Sequence, residues 1–283
     1  MNGRLEVTYY LHSGFSCALD DVLLVFDYWL GEHQELAEQR RITPQFLHRF
    51  REVYVFISHG HPDHWDPEVL RWAEQRPITY VTSSDAPPEV PGSRLAPGEE
   101  LHFGETLTVK AFDSTDLGVS FLVELGGFRI FHAGDLNFWH WREESTVQEI
   151  DEAEAAFQEA CKPLIGERID LCFFPVDPRQ GRLFDAGANY FIITVKPRLL
   201  LPMHFWGRSE VATEFARRTR TRQTEVIALV RPMEQMILEM EDDGFMRIQL
   251  PRYPETPPAQ RPPAGEDGGV FSGTDLPVDL DGN

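Results

Sequence analysis

Apolar positions along this chain fall into short runs of strand length separated by longer stretches with helical spacing. Strand-like runs occur at Leu5–Leu11, Val22–Asp27, Val53–Ser58, Ile78–Thr82, Leu107–Phe112, Val119–Leu125 and Phe128–His132. Later ones follow at Ile169–Pro175, Leu199–Met203, Val226–Leu229, Met236–Met240 and Phe245–Leu250. Helical patterning fills Glu143–Cys161, Ala186–Val195 and Ser209–Arg222. Asp66-Pro67-Glu68 predicts a helix start, with Asp as the N-cap and Pro in the first turn. Gly126-Gly127 between two apolar runs predicts a two-residue hairpin. Hairpins early in each half and helices between the later strands predict an α/β (α+β) chain with two mixed sheets, covered by helices on their outer faces. No internal sequence repeat stands out.

Composition narrows the class. At 283 residues the chain suits one large domain or two small ones. Residues 1–250 carry the patterning and predict one domain. From Pro251 to Asn283 the chain is rich in proline, glycine and acidic residues; such a segment cannot build a core and predicts a disordered tail. The longest apolar runs are strand-sized, far below the ~20 residues of a membrane span. The N-terminus enters a strand pattern directly, with no signal-peptide signature. Cys17, Cys161 and Cys172 lack C-x-x-C spacing, which fits a reducing cytoplasm and small core residues. The net charge of -20, from 46 acidic and 26 basic residues, disfavours a nucleic-acid partner. Arg217, Arg218, Arg220 and Arg222 form the densest basic run and read as a solvated surface.

The chemistry concentrates after one buried run. Ser58-His59-Gly60-His61-Pro62-Asp63-His64 follows Val53–Ile57 and sets four metal-competent side chains within six positions. Imidazole with carboxylate suits zinc, iron or manganese. A shuffled chain of this composition would show H-x-H-x-D-H on the order of once per thousand chains, so a metal site outweighs a solvated histidine loop. Further candidates also close apolar runs: His12 after Leu11, Asp27 after Phe26, His132 and Asp135 in His132-Ala133-Gly134-Asp135, and His204 after Met203. Ligand sites gather at strand C-termini in α/β folds.

That ordered series resembles the metallo-β-lactamase-fold hydrolases, over roughly residues 4 to 250. His12-Ser13-Gly14-Phe15 and Pro202-Met203-His204 look like the branch that holds the ascorbate-phosphate lactonase and related uncharacterised hydrolases. The resemblance implies a four-layer αββα sandwich with two divalent metal ions, Zn or Mn with Fe as a third choice, at one edge of the sheets. Carried over by position, His59 and His61 hold the first metal and Asp63, His64 and His204 the second. Asp135 bridges them, and Asp27 orients the first-motif histidines from behind.

One departure stands out. Many members of the family place another histidine in the loop that here reads Asp113-Ser114-Thr115-Asp116-Leu117-Gly118. Asp116 is the substitute candidate, Asp113 the next, and His132 an alternative. A carboxylate there shifts preference towards harder metals, or leaves a single-metal enzyme.

The expected reaction is hydrolysis of a small ester, lactone or phosphoester by a metal-activated hydroxide. Asp63 or Asp135 would orient it, and His12 or His132 would stabilise the developing charge. Trp65, Trp139, Arg179 and Trp206 are the substrate-binding candidates, with Trp29, Phe138, His140 and Trp141 as further aromatic wall and Arg142 and Arg208 as further cations. Aromatic packing around the site is the competing reading of the tryptophans. The alternatives are a phosphodiesterase acting on a cyclic or lipid phosphate and a non-catalytic metal-dependent binder. His61 argues against a diiron redox branch, which carries Glu there. A homo-oligomer is left open.

Overall fold

The computed structural model describes residues 3–31, 41–141, 144–219 and 221–252. Strands β1 (Gly3–Leu11), β2 (Gly14–Leu19), β3 (Val22–Phe26), β4 (Glu52–Ile57), β5 (Thr79–Ser83) and β6 (Ser93–Leu95) belong to the first sheet. Strands β7 (Glu100–Phe103), β8 (Leu107–Phe112), β9 (Ser120–Leu125), β10 (Phe128–His132), β11 (Leu171–Pro175), β12 (Leu199–Met203) and β13 (Glu225–Val226) make the second. The chain then returns to the first sheet with β14 (Gln235–Met240) and β15 (Met246–Arg252). The strand orders are β15-β14-β1-β2-β3-β4-β5-β6 and β13-β12-β11-β10-β9-β8-β7. Five α-helices are described: α1 (Pro44–Leu47), α2 (Glu68–Arg71), α3 (Val147–Cys161), α4 (Ala186–Thr194) and α5 (Ser209–Arg218).

Both sheets are mixed in the same way. Antiparallel β1–β2–β3 passes into parallel β3–β4–β5, and antiparallel β8–β9–β10 passes into parallel β10–β11–β12. The Gly126-Gly127 hairpin joins β9 to β10 with Leu125 opposite Phe128. Period-two alternation explains the four layers. On β4, Tyr54 and Phe56 face the main core, while Val53, Val55 and Ile57 join a second cluster with Val69 and Trp72 of the covering helices. On β11, Phe173 stacks on Phe15 of the first sheet at 4.2 Å, and Phe174 turns outward to Phe191 of α4 at 4.7 Å. The expected αββα sandwich is therefore what forms. Cys17, Cys161 and Cys172 are free and buried in its main core. No described helix is long and apolar enough to cross a membrane.

Several boundaries differ from the expected ones. Helix α3 starts at Val147 because Thr146 and Glu149 close a reciprocal capping box, so Glu144 and Ser145 turn ahead of it, while Glu143 lies outside the described residues. Helix α5 stops at Arg218: Thr219 is extended, and the Thr221 hydroxyl accepts from the amides of Gln223 and Thr224, a local bond that competes with the helix. Of the expected run Val226–Leu229 only Val226 lies in a strand, as the second residue of β13. The cap position of α2 is Pro67 and not Asp66, which stands one residue earlier with its Oδ1 accepting from Glu68 N at 2.8 Å. Strands β2, β6 and β7 carry too little periodicity to be foreseen: all six positions of β2 are at least half-buried, so alternation is hidden. β15 runs to Arg252, and the expected tail beyond it lies outside the described residues.

The Phe15–Phe173 stack joins the two sheets at their middle. Phe173→Ala should cost about 3–5 kcal/mol of unfolding free energy, read by urea denaturation of the metal-free protein. A loss below about 1 kcal/mol would contradict a shared inter-sheet core.

Candidate metal centre

Parallel strands align their C-terminal ends, and here those ends carry the polar groups. His12 follows β1, Asp27 follows β3, His59 to His64 follow β4, Asp135 follows β10, Asp177 follows β11 and His204 follows β12. The turn after β1 ties the sheets together at this edge. His12 O accepts from His204 N at 3.2 Å, and Ser13 O accepts from His132 Nε2 at 2.9 Å.

Asp27 organises the histidine-rich turn. Its carboxylate is buried and accepts three hydrogen bonds: from Ser58 N at 2.8 Å, Ser58 Oγ at 2.6 Å and His64 Nδ1 at 2.7 Å. Because the Ser58 hydroxyl donates to Asp27, His59 Nδ1 donates to Ser58 Oγ at 2.9 Å. Both histidines thus keep Nδ1 tied behind and turn Nε2 to the centre, where His59 Nε2 lies 2.9 Å from His61 Nδ1. Two glycines make room for this turn. A Cβ on Gly118 would stand 2.0 Å from Ser58 O, and one on Gly134 would stand 2.8 Å from Ser58 Cβ. Both glycines also have positive φ, where an L side chain is strained.

Asp177 does for His204 what Asp27 does for His64. Its Oδ2 accepts from His204 Nδ1 at 2.9 Å and from Trp206 Nε1 at 3.1 Å, while Arg179 grips the same carboxylate. Asp177 is the functional residue missed by sequence reasoning. Its signal was present: like Asp27, it closes a continuous apolar run, Leu171–Val176.

The anchored rings converge. His64 Nε2 lies 3.1 Å and His204 Nε2 3.3 Å from Asp135 Oδ1, and His12 Nε2 lies 3.2 Å from Asp63 Oδ2. None of these contacts has hydrogen-bond alignment: His12 Nε2, His64 Nε2, His204 Nε2 and Asp135 Oδ1 are all buried without a hydrogen-bond partner. Buried polar atoms left in this state are costly and rare. A set of imidazole lone pairs and carboxylate oxygens around one point is the donor set of a zinc- or manganese-type ion, so the residues fit such a group. Ligand-capable atoms within 4.8 Å of one another form three overlapping groups: His12, Asp63, His64 and His204; His59, His64 and Asp135; and His61, Asp116 and Asp135.

The electrostatics follow from burial and crowding. Burial alone would raise Asp135, but His64 and His204 outweigh it and hold the carboxyl well below the ordinary carboxylate range. Asp63 is lowered likewise, with His12 and His64 overcoming desolvation. Burial, then the neighbouring His204, push His12 down to about 3, and burial followed by His64 pushes His59 down to about 4. His64 goes the other way: burial is outweighed by Asp135 and Asp27, and its pKa rises well above the ordinary imidazole value. His12, Asp27, His204 and Trp206 all hold positive φ, a strained setting for residues other than glycine.

Other candidates divide. Exposed Asp116 stands with His61 and Asp135, whereas Asp113 uses Oδ1 to accept from Ser114 N. His132 is not brought to the cluster. Its Nε2 donates to Ser13 O, its Nδ1 accepts from Gly134 N, and its ring stacks on Phe26, so both nitrogens are already used. Trp65 packs against the helix-covered second cluster, not against the site, because the turn after His64 heads under the outer helices. Arg208 pairs with Glu210 at the surface, and Arg142 lies outside the described residues. A pocket of about 500 Å³ opens over the cluster, lined by His61, Asp63, Asp135, Trp139, Arg179 and Trp206 among others. Phe138 and His140 pack on each other beneath it, and Trp29 lies edge-on to His12 and Trp206.

Comparison with known proteins agrees with this layout. The chain is 23% identical over 222 residues to a UPF0173 metal-dependent hydrolase of Heliobacterium modesticaldum, covering 71% of this chain and 82% of the relative. A UPF0173 metal-dependent hydrolase of Pyrobaculum neutrophilum is 22% identical over 216 residues, covering 71% and 84%. Among solved structures, the fold is shared with Igni18, a metallo hydrolase from Ignicoccus hospitalis, at a TM-score of 0.59 and 16% identity, covering 84% of this chain and all of that one. It is shared too with the metallo-beta-lactamase fold protein YhfI from Bacillus subtilis, at a TM-score of 0.54 and 14% identity, covering 84% and 99%. The family described as the beta-lactamase superfamily domain matches residues 24–205, a span that runs from β3 to just past His204, and the chain belongs to that superfamily.

Proposed function

We propose that this metal-dependent hydrolase works where His12, Asp63, His64, Asp135 and His204 meet, on a small ester, lactone or phosphoester. The observation that carries the reading is the convergence of two buried, unpartnered imidazole nitrogens, of His64 and His204, on Asp135 Oδ1, with a third, of His12, beside Asp63. The two relatives named metal-dependent hydrolases support the reaction class. Asp63, His64 and His204 would hold one divalent ion, His59, His61 and Asp116 the other, and Asp135 both; zinc, manganese or iron suits these donors. Ions held there supply Lewis acidity, lowering the pKa of a water and polarising the oxygen of the group under attack.

The chain's own groups do the rest. Asp27 and Asp177 fix the tautomer and ring direction of His64 and His204, so each Nε2 faces the centre without a rotamer search. The Asp63 carboxylate, ionised at neutral pH, accepts a hydrogen bond from the attacking water and turns a lone pair towards the substrate. His12 differs from the other buried histidines of the cluster: neither ring nitrogen is anchored. It is neutral at physiological pH, and so is free to donate an N–H to the developing oxyanion or the leaving oxygen. The indoles of Trp139 and Trp206 limit access of bulk water from the pocket side.

His61→Ala and Asp135→Asn should each lower bound metal, measured by elemental analysis of protein purified without added metal, and abolish turnover of a lactone and phosphodiester panel. Full turnover by a metal-free preparation would rule the reading out. Asp177→Asn keeps the shape but removes the charge behind His204; metal affinity should fall about 10–100-fold, and unchanged affinity in a competition titration would remove Asp177 from the site. Metal uptake should also expel a proton. In the metal-free protein His64 is protonated at neutral pH, since Asp135 and Asp27 outweigh its burial, while His12 and His59 are already neutral. Coordination through His64 Nε2 requires the lone pair, so apparent affinity rises with pH. Zinc titrations by calorimetry near pH 7, in buffers of different ionisation enthalpy, should give different heats; equal heats would contradict this.

A further inference from the structure

The mouth of the pocket contains a feature that metal binding does not require. Arg179 lies over the Trp206 ring at 4.6 Å and the Trp141 ring at 5.6 Å. One edge of its guanidinium is fixed on Asp177, with Nε 3.0 Å from Oδ1 and 2.9 Å from Oδ2. Among the described residues, the donors of its other edge have no partner. A surface arginine ordinarily samples many rotamers; this one is held by two indole faces and a carboxylate, so little entropy is left to lose when it binds. Such a fork matches a planar oxyanion. Arg179 is also the one lysine or arginine among the described residues lining the pocket. In a chain of net charge -20, long-range attraction does not bring an anion here, so selection has to be local.

The surface around Arg179 is apolar and exposed. Trp141 and Trp206 are each 39% exposed, and Leu117, next to the pocket-lining Asp116, is 47% exposed. These are three of the seven large hydrophobic residues exposed among the described positions, and exposed apolar surface at a pocket mouth marks a ligand face. Trp206 is held with φ of 51°, and its Nε1 is bonded to Asp177, so its ring is presented rather than loosely packed.

We propose that this mouth is a substrate subsite for an oxyanion carried on a flat apolar body: the oxyanion binds the free edge of Arg179, the body lies on Trp141 and Trp206, and the scissile ester or phosphoester reaches inward to Asp135. The proposal rests on the hydrolase reading of the cluster and names its substrate class. Asp177 is shared by Arg179 and His204, so the anion and the reacting bond are separated by the depth of that one contact pair.

The test uses the full-length, metal-loaded protein and four compounds. Phenyl acetate is the neutral ester, 4-acetoxybenzoate adds a carboxylate, 4-acetoxyphenyl phosphate adds a phosphate, and ethyl acetate lacks the ring. The expected result is a kcat/KM at least tenfold higher for one or both anionic aryl esters than for phenyl acetate. Whichever anion gains more identifies the oxyanion source. Arg179→Gln should collapse that ratio towards one, mainly through KM, with Arg179→Lys between the two; Trp141→Ala should reduce the preference for phenyl over ethyl acetate. A clamp that merely supports Asp177 would lower all rates together and leave the ratios unchanged, which would overturn the subsite. Quenching of tryptophan fluorescence by 4-hydroxybenzoate and phenyl phosphate, but not by phenol, reads the same subsite without turnover. Turnover of all the esters with equal kcat/KM overturns the subsite and leaves the hydrolase reading standing. Anion-selective quenching with no turnover of any ester or phosphoester supports the subsite and overturns the hydrolase reading.

Discussion

The site depends on one buried carboxylate. Asp27 lies under the turn after β4 and accepts from Ser58 N, Ser58 Oγ and His64 Nδ1. A carboxylate out of water is costly unless its lone pairs are met, and here they are met by the groups that must be oriented. The same contacts that satisfy Asp27 set the direction of His64 directly and of His59 through the Ser58 hydroxyl. Remove the charge and both rings, whose centroids lie 4.1 Å apart, lose their reference.

The second sheet repeats this device with different residues. Asp177 closes β11 and holds His204 from β12, as Asp27 closes β3 and holds His64 after β4. Each sheet therefore supplies one carboxylate–imidazole pair, and the two pairs meet at Asp135, which comes from a fifth strand end, that of β10. The arrangement is a consequence of topology. In both sheets an antiparallel hairpin passes into parallel strands, so polar residues that end apolar runs arrive at one edge.

The order of the fold was largely legible because buried parallel strands read as continuous apolar runs, and turn glycines punctuate them. Val53–Ile57, Phe128–His132 and Leu199–Met203 are plain in the chain and are strands in the structure. β2 was not legible, since Gly14, Ser16 and Cys17 are small and buried, and Ala18 is half-buried, so no alternation shows. Among the polar groups, His59, His61, Asp63, His64, Asp135 and His204 stood out because they end strand-like runs, and the structure brings them together. His132 shares that position in sequence but is turned away by its bonds to Ser13 O and Gly134 N, a tertiary choice that spacing cannot encode. Trp65 was misplaced for a related reason: adjacency to His64 in the chain says nothing of which side of the turn its ring takes.

The β1–β2 turn has a mechanical consequence. Its two successive carbonyls, of His12 and Ser13, receive hydrogen bonds from His204 N and His132 Nε2 across the gap between the sheets. The sheets are thus bolted at the edge where the cluster forms, and sliding one past the other would break bonds at the centre first. Among the described residues, the least restrained part of the site is its rim at Asp113, Asp116 and Leu117, which is exposed and opposed by few buried contacts. The amide of His204 belongs to the slow-exchanging part of the molecule, because exposing it means separating the sheets.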